Sequence, residues 1–71
     1  MEQSLIGKNA GIVYKLLQGK SNVEVAKLKK ESKLTDSEMW AAIGWLSRED
    51  KLECTTEKKA RKTFVYYSLK D

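Results

Sequence analysis

The stretch Thr35–Leu52, TDSEMWAAIGWLSREDKL, constrains the fold most, because it opens with a helix start signal and runs out into a strand. Thr35 and Glu38 have the spacing of a capping box, in which each side chain satisfies the other residue's backbone amide. Leu34 before the cap and Met39 four positions into the helix have the spacing of a hydrophobic staple. Met39, Ala42, Ile43 and Leu46 recur at i, i+3, i+4 and i+7, which is one apolar helix face. The helix should stop near Asp50, because Lys51 begins a run that alternates as a strand does.

Upstream, Ser21–Ser32 reads as a second helix, with Ser21 and Glu24 as another capping box. The start of that helix is ambiguous, because Asn22-Val23-Glu24 could instead be a short strand. In either case Val25, Ala26 and Leu28 should point inward, with Lys27, Lys29, Lys30 and Lys33 on the outer side. Lys33 stands alone before Leu34, so the two helices share a very short turn, as in a helix-turn-helix. Leu5–Gln18 reads as the first helix, with Ser4 as N-cap and Gly19 as the residue after its C-cap. Its apolar stripe is Ile6, Ala10, Val13 and Leu17, widened by Leu5, Ile12 and Leu16. Gly7 and Gly11 inside it each cost roughly 1 kcal/mol against alanine. Their common side suits close packing by a neighbouring element, within the fold or from another subunit.

Lys51–Thr56 and Thr63–Leu69 read as two strands rich in aromatic and β-branched residues. Glu57–Lys62, EKKARK, is then a polar connection, so the pair forms a hairpin with a charged tip. Three helices followed by a hairpin is an α+β arrangement: a winged helix-turn-helix, with a short third strand before helix two as the open variant. Seventy-one residues make one domain, 1–71, near the lower size for folding without staples. The single cysteine, Cys54, alternates with Leu52 and is expected in the core.

The chain resembles a small family of winged helix-turn-helix proteins of unassigned function from Bacteroides-type bacteria. The resemblance rests on Ile6-Gly7-Lys8-Asn9-Ala10-Gly11, on Leu28–Leu34, and on Ala42-Ile43-Gly44-Trp45-Leu46-Ser47-Arg48-Glu49-Asp50-Lys51. Such domains usually carry glycine where this chain has Asp50, and aspartate tolerates a left-handed backbone better than most residues. The resemblance implies the fold. It implies DNA binding only by analogy to the fold class.

Other classes find little support. The chain has no histidine, one cysteine and no phosphate loop, so no enzyme activity, metal or cofactor is expected. The longest apolar runs are too short to span a membrane, and no signal-peptide layout opens the chain, so a cytoplasmic location is expected. The net charge of +4 mildly favours an anionic partner.

The second helix of a helix-turn-helix enters the major groove. Opposite the apolar face of Asp36–Glu49 stand Ser37, Ala41, Gly44 and Arg48, with Trp40 at the border. Only Ser37 and Arg48 there make the usual base-edge hydrogen bonds. The helix and its end carry Asp36, Glu38, Glu49 and Asp50 against one base, Arg48, which disfavours docking on phosphates. Basic charge is concentrated instead at Lys58, Lys59, Arg61 and Lys62 of the tip, against one acid, Glu57. Nucleic-acid binding through backbone contacts from this wing, by a homodimer, is the first expectation. The alternative is a protein-interaction module whose interface is Trp40, Ala41 and Gly44, an aromatic beside small residues. Trp45 and the three tyrosines, Tyr14, Tyr66 and Tyr67, are expected at the edge of the core.

Overall fold

The structure, a computed structural model, describes residues 2–70. The chain runs α1 (Gln3–Leu17), β1 (Val23–Glu24), α2 (Val25–Ser32), α3 (Asp36–Arg48), β2 (Leu52–Lys59) and β3 (Lys62–Leu69). The strands form one antiparallel sheet in the order β1-β3-β2. This is the winged helix architecture, and the short third strand is present.

α3 forms as its sequence dictates. The Thr35 hydroxyl accepts from the Glu38 amide at 3.2 Å, and the Glu38 carboxylate accepts from the Thr35 amide at 2.9 Å. Two of the amides left open at a helix start are thereby satisfied. Met39, Ala42, Ile43 and Leu46 are all buried. They meet Ala10, Val13 and Leu17 of α1, Leu28 of α2 and Val23 of β1 in one core. Leu17, Leu28, Met39 and Val13 are its largest fully enclosed side chains. Burial of each such side chain stabilises by about 1.5–3 kcal/mol.

Two expected helix starts move. α1 begins at Gln3 with Glu2 as N-cap, because Glu2 already has extended angles and its carbonyl accepts the first helical bond, from Ile6 at 3.0 Å. Ser4 therefore lies inside the helix, where its hydroxyl reaches the Glu2 carboxylate at 3.5 Å. The Ser21–Glu24 capping box does not form. Asn22 is left-handed at φ 51°, and its amide donates to the Ser68 hydroxyl at 2.7 Å while that hydroxyl donates to Asn22 Oδ1 at 3.3 Å. This pin holds Val23 and Glu24 extended opposite Tyr67 and Tyr66, so α2 starts only at Val25. Within α2, Leu28 is buried and Val25 half-buried, but Ala26 is exposed rather than inward.

The turns depend on left-handed residues. Gly19 at φ 73° ends α1, Lys33 at φ 59° makes the α2–α3 corner, and Asp50 at φ 58° follows α3. Asp50 therefore adopts the geometry for which glycine is the usual residue, and its carboxylate accepts from Lys70 Nζ at 2.8 Å. That contact, with the bond from the Lys70 amide to the Lys51 carbonyl at 2.8 Å, ties the start of β2 to the end of β3.

The hairpin is longer and its loop shorter than the sequence suggests. β2 and β3 stay paired from Leu52↔Leu69 out to Lys59↔Lys62, which leaves only Ala60 and Arg61 in the turn. Glu57, Lys58, Lys59 and Lys62 are thus strand residues, not a six-residue connection. Of β2 only Leu52 is even half-buried, and Cys54 is exposed, not a core residue. Two residues beyond Leu52 the strand has left the layer of helices, so alternation no longer means burial. Tyr67 and Leu69 pack against the core beside Leu52, whereas Tyr66, on the opposite face of β3, does not belong to the core edge.

Candidate nucleic-acid interface

The wing projects as a two-stranded ladder whose register sets its charge pattern. Lys59 and Lys62 stand opposite each other, and Lys58 stands opposite Thr63. Because successive strand residues point to opposite faces, Lys58 lies on one face and the Lys59–Lys62 pair on the other. Arg61 occupies the turn between them. All four cations are exposed.

They are not equivalent. Lys59 Nζ lies 3.0 Å from a Glu57 carboxylate oxygen, two positions back on the same face. The hydrogen bond and charge of Glu57 raise the Lys59 pKa above its usual 10.5. Among the described residues, Lys58, Arg61 and Lys62 form no ion pair. These three are the charges free to meet an anion, and they span both faces and the tip. The turn that carries Arg61 is strained. Ala60 has φ 53° while Arg61 keeps a negative φ, the sign pattern of a type II′ turn whose first central position is normally glycine.

On α3 the structure turns the outward face slightly from the expected one. Ser37, Trp40, Gly44 and Arg48 are exposed, and Trp40 retains 47% of its surface. Ala41 is half-buried, so the open face centres on Trp40 and Gly44 instead of Ala41. A Cβ added at Gly44 would meet nothing within 4 Å. Ser37 and Arg48 lie at opposite ends of the helix, about 16 Å apart along its axis at 1.5 Å per residue. Arg48 sits beside Trp45, Glu49 and Gln3 of α1.

The acids of this helix are largely engaged. Asp36 lies 3.3 Å from Lys29 of α2, Asp50 is held by Lys70, and Glu38 is in the cap. The sequence tally of negative charge overstates what an approaching phosphate meets, because Lys29 and Lys70 come to the helix from other elements. These pairs are exposed and screened by solvent, so they shape the charge of the surface more than they stabilise the fold. Among the described residues, no three His, Cys, Asp or Glu side chains gather in a way that could hold a metal ion. No helix there is long and apolar enough to cross a membrane.

The family model of the winged helix-turn-helix domain (DUF2582) matches residues 1–67. The chain belongs to this family. A relative from the archaeon Methanocaldococcus jannaschii, the uncharacterized protein MJ1608, is 41% identical over 49 residues, which cover 66% of this chain and 70% of that protein. The match supports the winged helix-turn-helix part of the resemblance read from the sequence, while the relative is archaeal rather than bacterial. In this DUF2582 domain the wing and the Trp40–Gly44 face are both left open by the fold. The unequal pairing of the wing lysines was not legible in the sequence, although Glu57 two positions before Lys59 was the available signal. The rescue of Asp36 and Asp50 by Lys29 and Lys70 gave no local signal at all.

Proposed function

We propose that this DUF2582 domain is a non-enzymatic, cytoplasmic nucleic-acid-binding protein that contacts phosphates through its wing, as a homodimer. One observation carries the reading: Lys58, Arg61 and Lys62 stand exposed at the tip of a projecting ladder, with no carboxylate paired to them among the described residues. Such charges release counterions from a phosphate backbone, and that release is a sequence-independent source of affinity. Ser37 and Arg48 offer too few base-edge donors for α3 to read a sequence alone, so binding should be weakly specific. A second subunit would add buried area to a small core and double the number of wings.

The test is fluorescence anisotropy of mixed-sequence duplex DNA across a salt series. The expected dissociation constant is on the order of 10⁻⁴–10⁻⁶ M and weakens steeply with salt. Charge reversal of Lys58, Arg61 and Lys62 together should remove the binding. Retention of binding by that variant would reject the wing as the contact surface.

A second reading follows from the exposure of Trp40 next to Gly44, since exposed aromatics are enriched at interface hot spots. In it the domain is a protein-interaction module, with α3 as the docking helix. Trp40→Ala should then abolish self-association or partner capture in sedimentation while leaving the DNA titration unchanged.

A further inference from the structure

The two glycines of α1 do not serve close packing inside the fold. A Cβ at Gly7 would come no nearer than 3.9 Å to another side chain, Cζ2 of Trp45, and one at Gly11 would meet nothing within 4 Å. Neither has a positive φ. The helix thus bears the propensity cost of two glycines without a backbone or packing reason in the monomer. What their missing side chains leave is a groove between α1 and α3, with a volume of about 420 Å³.

Its chemistry is one-sided. Tyr14 and Trp45 supply aromatic walls, Gly7 and Gly11 part of the floor, and Lys15 and Lys51 the cations, while no Asp or Glu among the described residues lines it. Among the described residues neither lysine is in an ion pair. Lys51 Nζ lies instead 5.7 Å from the centre of the Tyr14 ring. A cation held over a ring and offered no carboxylate is placed to receive an anion whose apolar body lies against the same rings. The volume falls in the range of small-molecule sites.

We propose that this groove binds a small aromatic carboxylate, its ring against Tyr14 and Trp45 and its carboxylate between Lys15 and Lys51. Charge argues against a second copy of the chain as occupant. A two-fold contact here would bring two identical lysine-bearing grooves together with no acid between them. The site is separate from the wing and stands whether or not the wing binds nucleic acid.

The probes are 2-naphthoate and its neutral counterpart 2-naphthamide, titrated into the protein and followed by ¹H–¹⁵N NMR. Naphthoate should give saturable shifts at Gly7, Gly11 and the Trp45 indole, and naphthamide should bind about tenfold more weakly, since a charge-assisted bond is lost. Gly11→Leu fills the groove from an exposed helix position with open space around it, so it should fold and lose naphthoate binding. Lys15→Met with Lys51→Met should bring naphthoate down to the affinity of naphthamide. The variant with all three free wing cations reversed should bind naphthoate as the unaltered protein does. The proposal is overturned by the absence of saturable shifts at concentrations on the order of 10 mM. Equal binding of the two probes, unchanged binding by Gly11→Leu, or loss of binding in the wing variant would overturn it too. If Gly11→Leu turns a dimer into a monomer and naphthoate never binds, the groove is a subunit contact instead.

Discussion

The helical end of the molecule and the outer half of the wing are held by different forces. At the helical end every element contributes to one buried cluster, and each helix is positioned by side chains from others. In the wing, from Glu53 to Lys62, every residue is exposed, and the ladder itself provides the structure. The wing can therefore change its side chains at little cost to the fold, whereas the helical end cannot. That freedom is what a binding surface needs.

The largest expected effect tests the helical side of this contrast. Leu28→Ala empties a fully enclosed position and should destabilise the domain by about 2–5 kcal/mol in urea denaturation followed by circular dichroism. A domain of this size has little more than that to lose, so much of the population should be unfolded at 37 °C. A loss below about 1 kcal/mol would mean that the helical end is not the stabilising half.

Charge reversal at Lys58, Arg61 and Lys62 is the converse experiment. DNA binding should disappear while each substitution moves stability by no more than about 0.5 kcal/mol. A large fall in melting temperature would show the wing to be structurally coupled to the core, and the contrast would fail.

Local devices should matter less. Thr35→Ala removes half of the capping box and should cost about 1 kcal/mol. Ala60→Gly relieves a left-handed alanine at the wing turn and should stabilise by up to about 1 kcal/mol. Were Ala60→Gly neutral or destabilising, the turn would not have the strained geometry described. Thr35→Ala and Ala60→Gly also sit at opposite ends of the contrast, so their effects should add.

The smallest effect is alkaline. Burial raises the Tyr67 pKa above its usual 10.0, with a further contribution from the facing Cys54. The hydrogen bond and charge of Asp50 raise the Lys70 pKa above 10.5. A raised folded-state pKa gives stability that is complete below the unfolded value and lost as pH rises through the folded one. The melting temperature should therefore hold to about pH 10 and decline above it, and Tyr67→Phe should reduce that decline. An unchanged profile in Tyr67→Phe would remove burial of that ring as the cause.

Legibility in the sequence followed the range of the interactions. The capping box, the buried face of α3 and the Gly19 turn are set by residues within a few positions of one another, and each was readable, whereas the left-handed turn at Asp50 was expected only from the family resemblance. The start of α2 was readable only as a choice between a capping box and a short strand, and the Asn22–Ser68 pin, which joins residues far apart in the chain, decides for the strand. Cys54 was misplaced for a related reason. Its alternation with Leu52 correctly gave the strand, but the helices end before they can cover it. The wing loop was overestimated because EKKARK looks like a polar connection, whereas cross-strand pairing carries its lysines into the ladder.

Among the candidate site residues, the sequence placed the cations at the wing and the small residues on α3. It did not show that Glu57 occupies Lys59, that Lys29 and Lys70 reach the acids of α3, or that Ala41 turns partly inward. The sequence by itself determined the elements, the apolar faces and the charge of each segment, because propensity, capping and periodicity act between near neighbours. Only the tertiary structure decided which charges are left free and which small residues face open space. Those outcomes depend on what other elements bring alongside, and no local pattern encodes them.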